Sequence, residues 1–405
     1  MGENPLDTIE PRVLAARLRE AREARGWTQQ QLADRLKMAR TTIVAIEKGE
    51  RRLRPQELIE LASLLGRSVS EFLQRGAPPE GFAVQLRETM PLPASLGSDL
   101  PQYIEEFQLL CEDYGRLEEM CQAPLRRRYP PEYEIQGTDP ELAAEDVAAT
   151  ERSRLDLGEG PLVNLREVLE ADVGLRIFQL VLPSKVAGMF AFTEPLGGCI
   201  AVNLHHPPER RRTSLAHEYG HFLTARYRPE ITLEDRYERR PAGERFAEAF
   251  ARALLMPASG LRRRYLETDR ERSQGVTFGD LCRLAHFYAV SVEAMIRRLE
   301  ELRLIPAGSW DRLRQEHFRV REAQKLLGLE PIHADNESLS PRYIALAIEA
   351  WQREQLSEGQ LARFLRTDRV GARERIQRLE LAAANGSDEG ESIDLGAPLL
   401  RSAGR

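Results

Sequence analysis

The sequence predicts a mainly α chain with one small β-sheet near its middle. Three observations carry that expectation. Apolar residues recur at helical spacing through residues 12–75 and again through the last third of the chain. Between them, Leu175 to Leu182, Met189 to Thr193 and Cys199 to Asn203 read as short strands, rich in Val, Ile and Phe and bounded by Gly and Pro. With 405 residues, 42% of them hydrophobic, the chain can bury more than one core. No apolar run reaches membrane-spanning length, so no membrane partner is expected. The stretch Met1 to Pro5 lacks the basic flank and apolar run of a signal peptide. Cys111, Cys121, Cys199 and Cys282 show no paired spacing, which argues against a disulfide framework and a Cys-ligated zinc finger. The expected location is cytoplasmic.

Residues 12–75 hold fourteen basic and eight acidic side chains, +6 on a chain that totals −6. A basic module on an acidic chain is the footprint of nucleic-acid binding. The helix pattern inside it decides. Val13, Leu14 and Leu18 make the apolar face of a first helix, with Gly26 suited to its end. Thr28 suits the N-cap of a second, which carries Leu32, Ala33 and Leu36. A third begins near Arg40 with Ile43 and Ile46 inward, and Leu58, Leu61, Ala62, Leu64 and Leu65 supply later core helices, five short helices in all. The run from Leu18 through Trp27-Thr28-Gln29-Gln30-Gln31-Leu32-Ala33, followed by Ile43-Val44-Ala45-Ile46-Glu47-Lys48-Gly49, closely resembles the Xre/Cro family of repressors. That resemblance implies a helix-turn-helix domain on a double-stranded DNA operator. Gln29, Arg40, Thr41 and Thr42 would approach the DNA from two helix N-termini, with Arg51, Arg52 and Arg54 near phosphates. Ala39 departs from the family, which usually carries a small hydroxyl or polar residue there, so a cap or contact is missing.

Residues 76–150 read as a linker and helical connector. Gly76 to Gly81 and Pro91-Leu92-Pro93 are breaks by composition. Tyr103, Phe107, Leu110, Tyr114 and Leu117 then follow a 4-3-4-3 spacing. Such a seam either pairs two copies into a homodimer or packs on its own protein, and so short a repeat favours the second.

Residues 151–265 carry the chemistry. After Pro207-Pro208, a helix is expected through Glu209-Arg210-Arg211-Arg212-Thr213-Ser214-Leu215-Ala216-His217-Glu218-Tyr219-Gly220-His221. His217 and His221, four apart, lie on one helix face, the separation at which two imidazoles reach one Zn²⁺. Glu218 sits at the edge of that face, placed to accept a proton from a metal-activated water. A catalytic zinc needs a third ligand. No HxxGxxH continuation supplies it, and the better candidate is Glu244, opening the helix that ends Leu254-Leu255-Met256-Pro257. Glu248, a turn further on, would bind the metal itself or orient a histidine from behind. His205-His206, read as lying on a strand, is expected to give surface or substrate-side polarity, and Cys199 packing alone. The strand Cys199 to Asn203 is a candidate for aligning an extended substrate by backbone pairing.

From about Val163 to Pro257 the sequence resembles the ImmA/IrrE metallopeptidases, in the Glu-Arg-Arg-Arg lead-in, the Ala-His-Glu-Tyr-Gly-His helix and the Leu-Leu-Met-Pro helix end. The resemblance implies an α+β, gluzincin-like site with His217, His221 and Glu244 as ligands and Glu218 as general base. Many members carry Asn where this chain has Glu248. Two nitrogens and a carboxylate accept zinc or manganese. The family's habit of cutting Xre-type repressors implies that substrate class.

Residues 266–306 are expected to form a helical extension of the peptidase domain, with Phe287 to Ala294 also resembling that family. Residues 307–382 read as a helical C-terminal domain. Within it Leu356-Ser357-Glu358-Gly359-Gln360-Leu361-Ala362, leading to Val370-Gly371-Ala372-Arg373, suggests a second helix-turn-helix-like unit. Its charges look more evenly balanced, which favours a protein-binding or sensory role. Residues 383–405 turn to Ala, Asn, Gly, Ser and acids and are expected to be a disordered tail. Together these parts point to a transcriptional regulator with a zinc endopeptidase that cleaves a repressor or partner protein. The alternative is a ligand- or metal-sensing transcription factor, or an antitoxin-like repressor, on a non-catalytic peptidase fold.

Overall fold

The computed structural model describes residues 11–25, 27–65, 69–72, 82, 86, 100–233, 241–270, 275–332 and 336–386. Gly26, the linker at 76–81, the Pro91–Pro93 break and residues 387–405 of the expected tail lie outside the described residues, while residues 383–386, expected to be disordered, are the end of the last helix. No described helix is long and apolar enough to cross a membrane.

The five expected N-terminal helices form: α1 (Pro11–Ala24), α2 (Gln29–Leu36), α3 (Arg40–Glu47), α4 (Pro55–Leu65) and α5 (Val69–Phe72). Leu18, Leu32, Ile43, Leu58 and Leu61 meet in a core of their own. Thr28 caps α2 by a reciprocal box: its hydroxyl accepts from Gln31 N at 3.2 Å, and its own N–H donates to Gln31 Oε1 at 2.9 Å. The helix ends on Lys37, held left-handed at φ 54°. α3 starts without a side-chain cap, because Ala39 at the cap position has nothing to offer. A buried ion pair closes the motif, Arg22 Nε donating to Glu47 Oε1 at 2.6 Å.

The described residues form two compact units, one within 11–115 and 124–340, the other within 116–123 and 341–386. Helix α6 (Leu100–Cys121) carries the heptad-like stripe. Phe107 and Tyr114 are fully buried and meet Phe178 edge-on, with ring centroids 6.4 and 6.2 Å away. The stripe is therefore core of its own chain, and pairing two copies through it would need these rings exposed.

The middle region opens with α7 (Pro140–Arg154), then the short α8 (Leu165–Val168) and a π-turn at Leu169–Val173. The sheet follows: β1 (Arg176–Leu180), β2 (Val186–Thr193), β3 (Gly197–Asn203) and, after helix α9 (Pro208–Thr224), β4 (Glu230–Leu233). Strand order is β1-β3-β2-β4, with β1 parallel to β3 and the other pairs antiparallel. Every residue of β1, β2 and β3 is buried, so the sheet is covered on both faces. The three strands read from the sequence are thus present, and β4 adds to them. Two of the earlier readings need correcting. β3 lies between β1 and β2, so its backbone groups already serve the ladder and it cannot take up a substrate strand. His205-His206 lies in the turn after β3 and not on a strand: His205 is exposed, as a surface residue should be, whereas His206 is buried with Nε2 3.2 Å from Ser184 O.

Helices α10 (Ala242–Leu255), α11 (Ala258–Arg270), α12 (Phe278–Phe287) and α13 (Val292–Glu301) complete this core. Trp310 and Leu313 of α14 (Ser309–Gln315) and Val320 and Ala323 of α15 (Val320–Leu326) pack against it too, so residues 307–329 join the core. The remaining helices are α16 (Pro341–Gln352), α17 (Glu358–Phe364) and α18 (Arg369–Gly386).

Candidate metal centre

α9 is started by Pro208 at its first position, where a missing N–H costs nothing. The arginines that follow are anchors. Arg211 donates to Gln179 Oε1 of β1 and to Asn336 Oδ1, the latter at 3.0 Å. Arg212 donates to the carbonyls of Ala289, Leu162 and Val163. Further along, the buried Tyr219 hydroxyl donates to Glu151 of α7 and accepts from Arg154, while Tyr133 donates to the other Glu151 oxygen at 2.9 Å. Burial first, then the Glu151 carboxylate, pushes the Tyr219 phenol well above its usual range, so it stays protonated as a donor. These bonds fix the rotation of α9 about its axis. Sequence reasoning missed the Glu151 network, because nothing in the spacing of Glu151 and Tyr219 links them.

With α9 so held, His217 and His221 turn one edge toward α10. Their Nε2 atoms lie 3.0 Å apart. Glu244, in the first turn of α10, brings Oε2 to 3.5 Å from His217 Nε2 and Oε1 to 3.3 Å from His221 Nε2. Gly220 permits this approach, since a Cβ there would stand 3.1 Å from the Cα of Ala247 in α10. Burial alone would raise the Glu244 carboxyl, but the hydrogen bonds and charge of the two histidines more than offset it and hold it well below the usual carboxylate range.

Glu218, next to His217 on the same helix, is fully buried and lies against Gly188 of β2. A Cβ on Gly188 would stand 2.5 Å from its Oε1, so the glycine in β2 makes the space this carboxylate fills. Neighbouring ligands at zinc–nitrogen length in a tetrahedron stand about 3.3 Å apart. The three His/Glu separations bracket that value. The donor set therefore fits a four-coordinate cation with one position left for water. Among the described residues, His217, His221 and Glu244 are the one such group of ligand atoms, all within 4.8 Å of one another. Glu248 stands outside it and lines a separate cleft with Arg252, Glu293 and Arg297.

At the N-terminal head, Arg40 and Thr41 are exposed at the start of α3 and Thr42 is half-buried beside them. Gln29 is tied by Nε2 to Glu47 Oε2 at 2.9 Å, which sets its side chain across the α2–α3 junction. Arg52 and Arg54 are exposed. Arg51 is engaged by Glu57 through both guanidinium ends, at 3.2 and 2.8 Å, so its first role is to brace α4.

Fold and site together define a chain that joins a DNA-reading helical head to a metallopeptidase-type core. Residues 18–72 match the helix-turn-helix family model and residues 170–300 match the model of the IrrE N-terminal-like domain, an M78 peptidase family. The chain is thus a fusion of an Xre-type helix-turn-helix domain with an IrrE/ImmA-like metallopeptidase domain, a family that implies a metal. No curated protein matches it.

Proposed function

We propose that this regulator is a zinc-dependent endopeptidase that cleaves a repressor or partner protein. The observation that carries the reading is the convergence of His217, His221 and Glu244, with the buried Glu218 carboxylate on the same helix. His217, His221 and Glu244 would hold zinc, with manganese the competing occupant of an N/N/O set. Bound there, the metal supplies Lewis acidity toward a water and toward the scissile carbonyl. Glu218 takes the proton from the attacking water and delivers it to the departing amine. Its enclosure by Gly188 keeps that carboxylate in one position between the two transfers. A sensor that only bound metal would have no use for a carboxylate seated this way, which favours catalysis over the non-catalytic reading.

In the helix-turn-helix head, Gln29, Arg40, Thr41 and Thr42 would meet base edges or adjoining phosphates, and Arg52 and Arg54 the backbone. Arg51 would contribute by holding that loop.

The test is cleavage of purified Xre-type repressors by the full chain, with Glu218→Gln alongside and metal content measured on both. Loss of turnover by about 10²- to 10⁴-fold at equal metal loading is expected for a general base. Metal bound with no cleavage of any repressor would favour the sensor. No metal in either protein would refute the centre itself.

A further inference from the structure

Helices α16, α17 and α18 repeat α1, α2 and α3 at a constant offset of 329 residues, with no insertion or deletion from residue 14 to residue 47. The match is visible in sequence at Gln31/Gln360, Leu32/Leu361, Ala33/Ala362, Leu36/Leu365 and Arg40/Arg369. It is closer in structure. Thr28 and Ser357 both cap by a reciprocal box with the glutamine three residues on. Lys37 and Arg366 both end their helix left-handed, at φ 54° and 52°. The turn bonds coincide pair for pair: Met38 N to Ala33 O at 2.9 Å answers Thr367 N to Ala362 O at 3.0 Å, and Lys37 N to Asp34 O answers Arg366 N to Arg363 O. Buried positions coincide as well, as in Leu14/Tyr343, Leu18/Ala347, Ala21/Ala350 and Ile43/Ala372.

We infer that residues 341–386 form a second helix-turn-helix that binds double-stranded DNA, with the N-terminal turns of α18 as its reading face. The charge that matters is that of the helix pair facing the duplex. Residues 357–378 hold six arginines against three acids, while residues 28–49 of the matched head hold four basic side chains against two acids. The C-terminal helix pair is thus at least as basic as the matched pair of the first head, although over the whole unit residues 341–386 carry eight basic side chains against six acids where residues 12–57 carry twelve against six. Arg366 at the turn, Arg369 at the start of α18 and Val370 beside it are all exposed. Arginines there suit phosphates or guanine, and an exposed valine suits a thymine methyl. Asp368 supplies the cap that Ala39 lacks, accepting from Gly371 N at 2.7 Å. One acid opposes the role: Glu358 stands where the first head has Gln29, and it is neutralised by Arg373 at 2.5 Å.

The experiment uses the full chain with its first head disabled by Arg40→Glu and Thr41→Glu. Duplexes selected from a random pool are titrated by fluorescence anisotropy over a range of salt. The expected result is residual duplex binding that Arg366→Glu with Arg369→Glu weakens about tenfold or more, lowering the salt slope by about two. Both side chains are exposed, and far-UV circular dichroism checks that the fold survives. Glu358→Gln in the same background is expected to strengthen binding, a gain that misfolding cannot produce. Binding that is absent in the first-head variant, or that ignores both sets of substitutions, overturns the inference. A change confined to self-association by sedimentation, with DNA binding unmoved, overturns it in favour of a surface for a second copy. The outcome is independent of whether the peptidase is active.

Discussion

A single missing Cβ sets the geometry around Glu218. Gly188→Ala would drive a methyl into the carboxylate, which has no open side to move into. The expected result is a cost of about 1–3 kcal/mol in stability and loss of most cleavage, with zinc content unchanged because no ligand is touched. Thermal melts, metal analysis and turnover on one preparation check all three. Glu244→Gln should do the reverse at the first step, lowering metal affinity about 10-fold or more, read by competition with a chromogenic chelator. Much of this site was legible beforehand, since His217, Glu218 and His221 lie on one helix and helical spacing fixes their relation. Glu244 was legible only as a candidate at the head of the next helix, and the resemblance gave it the ligand role, because its place over the histidines depends on how α9 meets α10. Gly188 had no signal at all in the sequence: strand glycines are common, and the partner it accommodates is thirty residues away in another element.

At the level of the element, the helix-turn-helix head is held by caps and ion pairs that can be removed one at a time. Thr28→Ala deletes one half of a capping box and should cost the head about 1 kcal/mol, whereas Ala39→Ser should return a cap to α3 and stabilise it. Urea melts of the isolated variants in the full chain, followed through the Trp27 environment, separate the two. Glu57 gives the head a pH dependence. Burial raises its carboxyl, but the hydrogen bond from Arg51, that from Arg54 N–H and the charge of both arginines hold it below the usual value. A depressed folded pKa stabilises above the unfolded value near 4.3 and is lost as pH falls through the folded one. The head should therefore loosen below about pH 4, and Glu57→Gln should flatten that profile. Elements were readable where periodicity was one-sided. The α6 stripe was ambiguous because a buried helix and a short coiled-coil seam share one spacing, and β4 is too short, at Glu230–Leu233, to announce itself.

Across the whole chain, the DNA head and the peptidase region keep separate apolar cores. Chelation should accordingly lower the melting transition of the peptidase region, since an ion bound only by the folded state stabilises it, and leave that of the head in place. Differential scanning calorimetry with and without chelator shows the split. The repeat of three helices at the two ends of the sequence has a practical corollary for anyone building chimaeras. Parts that share a register are exchangeable in principle, so α17 and α18 could be transplanted onto α1 without altering a loop. The graft has one incompatibility. Arg22 and Glu47, the buried pair of the first unit, correspond by the offset to Trp351 and Ile376 in the second. Carrying α18 across without α16 would leave the Arg22 guanidinium facing an isoleucine, an uncompensated charge worth about 3–5 kcal/mol. A working transplant has to move the first helix along with the reading helix.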